Sequence, residues 1–277
     1  IEPTSSTAAA ARDKGIEIVE EFFGTDLAQD LASQGRSADL MVANNVLAHV
    51  PDLNDFVAGF ATLLMPAGVA TFEFPHLLRM VEGIQFDTAY HEHFSYLSLT
   101  TVVDIFRNSG LAVFDVDEVP THGGSLRVFA QRMRDGTHPI ARNVERVLER
   151  EQRAGMRSSQ FYRAFQKQAE RVKNDLLAFL LEAKQQERTI VGYGAAAKGN
   201  TLLNFAGVKQ DLLPFVCDAA PSKQGKFLPG SRIPVKMADA IKTGGIDGVI
   251  VLPWNIVDEV IAQFGGIRRS GVKFYIA

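Results

Sequence analysis

The chain has little cysteine: one residue, Cys217, among 277. One thiol builds neither an intrachain disulfide framework nor a cysteine-based metal cage, and it fits a reducing, cytoplasmic setting. Long apolar runs are missing too, since no stretch approaches the ~20 residues that a bilayer-spanning helix needs. The opening residues Ile1-Glu2-Pro3-Thr4-Ser5-Ser6-Thr7 lack the basic region and the apolar core of a secretory leader. They read as a strand end followed by a capped helix, so the chain is expected to begin inside a domain. Charge of one sign is scarce, with a formal net charge of −3 and no dense Lys/Arg tract. A nucleic-acid polymer or an anionic membrane is therefore not the expected partner. Repeats of solenoid type and low-complexity segments are also absent.

What is present is a globular composition, 46% hydrophobic and 22% charged, enough for one large or two modest cores. Helix is expected over Thr4–Lys14, Asp55–Leu64 and Thr100–Asn108. The second of these helices stops at Met65-Pro66-Ala67-Gly68, and strands are expected over Ile16–Phe23, Ala38–Asn44, Val69–Phe74, Leu111–Val119 and Ser125–Arg132. Strand and helix in alternation predict a mostly parallel α/β sheet. From Arg142 to Arg188 the chain is strongly charged, and Phe161, Phe165, Val172, Leu176, Phe179 and Ala183 form one apolar stripe. One or two amphipathic helices bracing the domains, or a partner-binding coiled coil, would read this way. A second, three-layer α/β unit follows, with strands at Thr189–Tyr193, Phe215–Cys217, Asp247–Leu252 and Val272–Ile276. Its helices are expected through Phe205, at Ala238–Lys242 and at Trp254–Phe264.

The richest chemistry lies in Tyr90-His91-Glu92-His93-Phe94-Ser95-Tyr96, which holds two of the six histidines. Imidazole titrates near neutrality, so His93 or His91 can serve as a general base. Glu92 can orient an imidazole and Tyr90 can donate to a developing enolate oxygen. His49, which also follows a strand, can converge on the same place. Two other readings stay open: His49, His91, Glu92 and His93 as metal ligands, although their spacing is not that of H-E-x-x-H, and buried histidines with purely structural partners. Glu2 at a strand end, Asn44-Asn45 after a buried strand and the pair Phe22-Phe23 are candidate nucleotide contacts, or a solvated acid, a turn and core. In the second unit Gly192-Tyr193-Gly194-Ala195-Ala196-Ala197-Lys198-Gly199-Asn200 joins a strand to a helix. Small residues, a helix start and Lys198 suit a phosphate, while the G-K-[S/T] ending of a Walker loop is absent.

Together with Asn44–Val50, His122–Arg127, Lys223–Gly230 and Ile233–Val235, these segments resemble, in order and over nearly the whole chain, the S-adenosylmethionine-dependent C-methyltransferases of nucleotide-linked keto-deoxysugars. The resemblance implies two Rossmann-like three-layer domains: residues 1–137 binding the cofactor and 189–277 binding the sugar nucleotide, with 138–188 as a helical connector. It implies Glu2, Phe22 and Asn45 on the cofactor, and His93 as base with Tyr90, Glu92 and His49 beside the reacting sugar. His122, Ser125, Arg127, Lys198 and Asn200 are implied on the substrate side. It also implies a monomer or weak homo-oligomer, with no metal held by this chain. The family's zinc belongs to an N-terminal domain. That domain and the glycine-rich loop before Glu2 are missing from this sequence, which is expected to be an N-terminally truncated form. Under this reading His93 removes the proton beside a C4 ketone and the carbon is methylated. An O- or N-methyltransferase, a sugar-nucleotide-binding module with an inactive methyltransferase half, and a metal-dependent hydrolase are the alternatives.

Overall fold

The structure, a computed structural model, describes residues 1–242, 245–269 and 271–277. The chain divides into two compact units, one of Ile1–Arg79 with Glu92–Phe161 and one of Met80–His91 with Tyr162–Ala277.

The first unit is built on β1 (Ala38–Asn44), β2 (Leu64–Pro75), β3 (Leu111–Val119) and β4 (Ser125–Arg132), in the order β1-β2-β4-β3. β1 and β2 run parallel, with Leu40 opposite Val69 and Asn44 opposite Glu73. β4 is antiparallel to both β2 and β3. The mostly parallel sheet expected here is therefore a mixed one. Its cause is the short turn between Val119 and Ser125, which reverses the chain directly where a parallel neighbour needs a long crossover. Ile16–Phe23 does not form the expected strand: Val19 accepts one backbone bond from Glu2 at 3.0 Å, and a strand needs a ladder. Leu64, expected to end a helix, and Met65–Gly68, expected to stop it, instead begin β2.

Two helices cover one face of this sheet. Leu53–Leu63 is capped by the Asp52 carboxylate, which accepts from the Asp55 amide, and buries Phe56, Val57, Phe60 and Leu63. Leu99–Asn108 is capped by Ser98 and buries Leu99, Val102 and Phe106. Phe72 of β2 meets Phe60 at 4.6 Å and Phe106 at 4.7 Å between ring centroids, so both helices pack on the same side of that strand. A fully buried Phe contributes ~1.5–3 kcal/mol, which makes this triplet the centre of the core. The helix Thr25–Ser33 was not anticipated. Its start is held by Asp55, which accepts from the Thr25 amide at 3.2 Å. Arg142–Ala154 adds Val144 and Val147 to the same core.

The second unit carries a five-stranded parallel sheet of β5 (Ile190–Tyr193), β6 (Val216–Asp218), β7 (Val235–Met237), β8 (Gly248–Val251) and β9 (Lys273–Ile276), in the order β7-β6-β5-β8-β9. Every residue of β5 and β8 is buried, as expected for central strands covered on both faces. Ile190, Ile250 and Leu252 pack on one side with the helices Phe165–Gln185 and Ala197–Ala206, while Val191, Tyr193, Val249 and Val251 pack on the other with Val260 and Phe264. That alternation makes three layers. β5 connects outward to β6 and the chain later crosses to β8, so the strand order reverses at the β5–β8 boundary. Sheets of this kind bind ligands at the carboxyl ends of the strands at such a boundary. β7 was not anticipated. Among the described residues no helix is long and apolar enough to cross a membrane.

Candidate active site

The first unit gathers its chemistry beyond the carboxyl ends of β1 and β2. Asn45 turns the chain in the left-handed region, φ 56°, and its amide donates to the Glu73 carbonyl at 2.7 Å. A short 3-10 turn, Leu47–His49, follows. The Ala48 carbonyl accepts from the amides of Phe94 at 2.8 Å and Ser95 at 3.3 Å, which ties the histidine loop to this turn. His49 Nδ1 lies 2.8 Å from the backbone oxygen of Glu92. A carbonyl only accepts, so Nδ1 carries a proton and Nε2 is the ring nitrogen left to meet other groups. The rings of His49 and His93 are 4.7 Å apart and those of His93 and Tyr96 are 5.9 Å apart. His49 and His93 are thus brought together, with Glu92 acting on His49 through its backbone oxygen. Tyr90, half-buried, and His91, exposed, belong to Met80–His91 in the second unit.

Beside these residues β2 and β4 hold an ion pair that sequence reasoning missed. Glu73, buried, accepts from Arg127 Nη2 at 2.7 Å and Nε at 3.1 Å, and from Thr121 Oγ1 at 3.0 Å. Arg127, a candidate substrate contact, is therefore already held, with its side chain 41% exposed. Ser125 is buried and donates to the Thr121 carbonyl at 3.0 Å, whereas His122 is exposed at φ 56°.

A cavity of about 540 Å³ opens against β1, lined by Ile1, Pro3, Phe22, Leu40, Val42, Val46, His49 and neighbouring apolar side chains. Its volume lies within the ~300–1,000 Å³ of small-molecule sites. Phe22 is 84% exposed, while Phe23 is packed on Phe56 and Phe60; the pair divides between surface and core. Glu2 sits between two lining residues, and its carboxylate accepts from the Thr4 amide at 2.8 Å. Asn45 directly precedes the lining residue Val46.

In the second unit the turn after β5 is fixed by Asp218 at the end of β6. Its carboxylate accepts from the amides of Ala195 at 2.7 Å and Ala220 at 2.8 Å and faces Lys223 Nζ at 3.3 Å. An acid closing the second strand of such a unit, ~20 residues past a glycine turn, is a recognisable nucleotide-site signal that sequence reasoning passed over. Gly194 adopts φ 92°, and a Cβ there would lie 2.4 Å from Pro253 Cδ, so the turn requires glycine. Lys198, in the first turn of the next helix, donates to Asn255 Oδ1 at 3.0 Å and stands 4.2 Å from the centroid of the Trp254 ring. Burial pulls its pKa down, and the attraction of Asp87 opposes this. Asn200 Oδ1 is buried without a hydrogen-bond partner among the described residues. No group of three or more His, Cys, Asp or Glu among the described residues is arranged to hold a metal ion.

Two family descriptions divide this chain between them: "methyltransferase domain" matches residues 5–116 and "C-methyltransferase C-terminal domain" matches residues 120–277. The chain belongs to the C-methyltransferase family. It is 32% identical over 276 residues to the C-methyltransferase NovU of Streptomyces niveus, an alignment that takes in 100% of this chain and 66% of that protein. The chain thus spans just under two-thirds of that relative's length. Among solved structures, a Thermotoga maritima methyltransferase described as a possible histamine N-methyltransferase is similar at 14% identity and TM-score 0.37, covering 47% of this chain and 71% of that one. The Burkholderia thailandensis 1,6-didemethyltoxoflavin-N1-methyltransferase, solved with S-adenosylhomocysteine, is similar at 18% identity and TM-score 0.32, covering 48% and 58%. Likenesses at this level carry no argument about chemistry.

Proposed function

We propose that this chain carries the catalytic and substrate-binding parts of an S-adenosylmethionine-dependent C-methyltransferase acting on a nucleotide-linked 4-keto-deoxysugar. The observation that carries the reading is the pairing of His49 and His93, 4.7 Å apart, on a loop tied to the end of β1. Carbon methylation beside a ketone needs a base for the C–H proton, a role that an imidazole on this loop can take.

The apolar cavity against β1, with the Phe22 ring in its wall, fits the adenosyl part of such a cofactor, and Glu2 and Asn45 flank it. The cofactor supplies an electrophilic methyl group. His93 takes the proton from the carbon beside the ketone, a contribution of ~10²–10⁴-fold for a positioned base. His49, fixed by the Glu92 carbonyl, limits the orientations open to His93. Tyr90 donates to the enolate oxygen, and Glu92 lies in the same loop. His122 and Arg127 face the sugar, with Arg127 held in one orientation by Glu73, and the buried Ser125 pins the Thr121 turn beside them. The nucleotide is held in the second unit, its phosphates at the Gly194–Lys198 turn and Asn200 offering an acceptor.

His93→Ala should abolish methyl transfer while calorimetric binding of the sugar nucleotide stays within a few-fold of wild type. Turnover retained in that variant would remove His93 from the chemistry.

A further inference from the structure

Lys198, Trp254 and Asp87 form a chain of contacts inside the second unit that the reaction itself does not need. The Trp254 indole N–H donates to Asp87 Oδ2 at 2.8 Å. Lys198 Nζ rests on the face of the same indole, 4.2 Å from its centroid. Asp87 is 5% exposed; burial raises its carboxyl pKa, a rise that the Trp254 bond and the Lys198 charge offset only in part. One residue earlier, Phe86 packs edge-on against Phe205 at 5.4 Å. Phe205 and Lys198 are on one helix, Ala197–Ala206. Phe86 and Asp87 therefore hang the segment Met80–His91 on the helix that starts at the proposed phosphate turn and on the indole beside it. Tyr90 lies three residues beyond Asp87 in that segment.

The hold is poised. Lys198 directly contacts only a neutral amide oxygen and an aromatic face among the described residues, with Asp87 attracting it without a hydrogen bond. Each is a weaker partner than a phosphate with charge-assisted hydrogen bonds. We infer that a nucleotide phosphate at the Gly194–Lys198 turn draws Lys198 off Trp254, and that Asp87 and Trp254, as positioning residues, pass this change to the segment bearing Tyr90. The inference rests on the nucleotide reading above. It makes occupancy of the phosphate turn a signal that resets the segment bearing Tyr90.

Trp254 is the only tryptophan in the sequence, so its emission reports the event directly. Thymidine diphosphate is titrated into the 277-residue chain while Trp254 emission, amide hydrogen exchange across residues 84–91 and calorimetric heat are followed. The expected result is an emission change and a several-fold change in exchange, both saturating with the heat, while thymidine without phosphates produces neither. In Asp87→Asn the heat should persist and the exchange response should disappear; a response that persists there would remove Asp87 from the relay. Binding with emission and exchange both unmoved overturns the relay and leaves the nucleotide reading intact. No heat with thymidine diphosphate or with the uridine, cytidine, guanosine and adenosine diphosphates titrated in the same way overturns the nucleotide reading, and the relay falls with it.

Discussion

Replacing Glu151 by glutamine keeps the shape of a side chain and removes a charge on which four donors converge. Oε1 accepts from His76 Nε2 at 2.7 Å and from the Leu99 amide at 2.7 Å. Oε2 accepts from the Thr100 amide at 2.8 Å and its hydroxyl at 2.6 Å. Both members of the His76–Glu151 pair are 1% exposed. Burial pushes the carboxyl pKa up, but the donors of His76, Thr100 and Leu99 outweigh it and hold it below the usual range. A glutamine must turn its NH₂ toward either the Leu99 or the Thr100 backbone N–H, and neither can turn away. One buried donor then stays unpaired at a cost of ~1–3 kcal/mol, and the surviving bonds lose about 1 kcal/mol each as they fall from charged to neutral strength. Relief from burying a charge offsets part of this, leaving a net loss of ~2–4 kcal/mol. Scanning calorimetry at pH 7 should show the first unit's transition lowered by roughly 4–16 °C, at ~2–4 °C per kcal/mol. Because the folded pKa is depressed, the stabilisation is full above the unfolded value of 4.5 and is lost as pH falls through the folded value. The gap between wild type and variant should therefore close in acid. A shift below ~2 °C at pH 7 would mean less than about 1 kcal/mol, and either that or a gap that widens in acid would show that the Glu151 charge does not stabilise this unit.

Gly194→Ala places a methyl against Pro253 at a positive φ; strain and crowding together should cost about 2–4 kcal/mol and weaken nucleotide binding, and an unchanged unfolding midpoint would speak against the proposed tight turn. Arg127→Met leaves the buried Glu73 with only Thr121 as a side-chain donor among the described residues and should destabilise by ~1–3 kcal/mol in denaturant unfolding; adding Glu73→Leu should recover most of that loss, and a double variant no better than the single one contradicts the unpaired-charge explanation. Cys217 is buried, and burial pushes its thiol up to about 11 despite Lys236, so thiol reagents at pH 8 should label it only as the second unit unfolds; rapid labelling of folded protein would count against that burial.

The parts of the fold legible in the sequence were those decided locally. Ala38–Asn44, Leu111–Val119 and Ser125–Arg132 have the expected bounds because each is an apolar-rich run closed by turn-forming residues. Ile16–Phe23 has a similar pattern and no ladder; pattern alone supplies residues suited to a strand, and a neighbouring strand must supply the rest. The helix Thr25–Ser33 escaped notice because the carboxylate that holds its start, Asp55, is 30 residues away. The same distinction runs through the sites. His49 and His93 could be paired in advance, since both follow strands of one sheet. Asp218 on Ala195, Glu151 on His76, Glu73 on Arg127 and Asp87 on Trp254 are separated by 23, 75, 54 and 167 positions, and nothing local marks an acid as buried and bound. The turn between β3 and β4 makes the first sheet mixed, a feature that element order alone did not reveal.

The central claim is that a histidine on this chain takes a proton from carbon. It is tested most directly by incubating the 4-keto sugar nucleotide in D₂O with the protein and S-adenosylhomocysteine, which has no methyl to give, and following the proton beside the ketone by NMR. Wild type should exchange this proton for deuterium and His93→Ala should not. No exchange by a wild-type protein that methylates the sugar would point to oxygen or nitrogen as the acceptor, and exchange that survives in His93→Ala would place the base elsewhere.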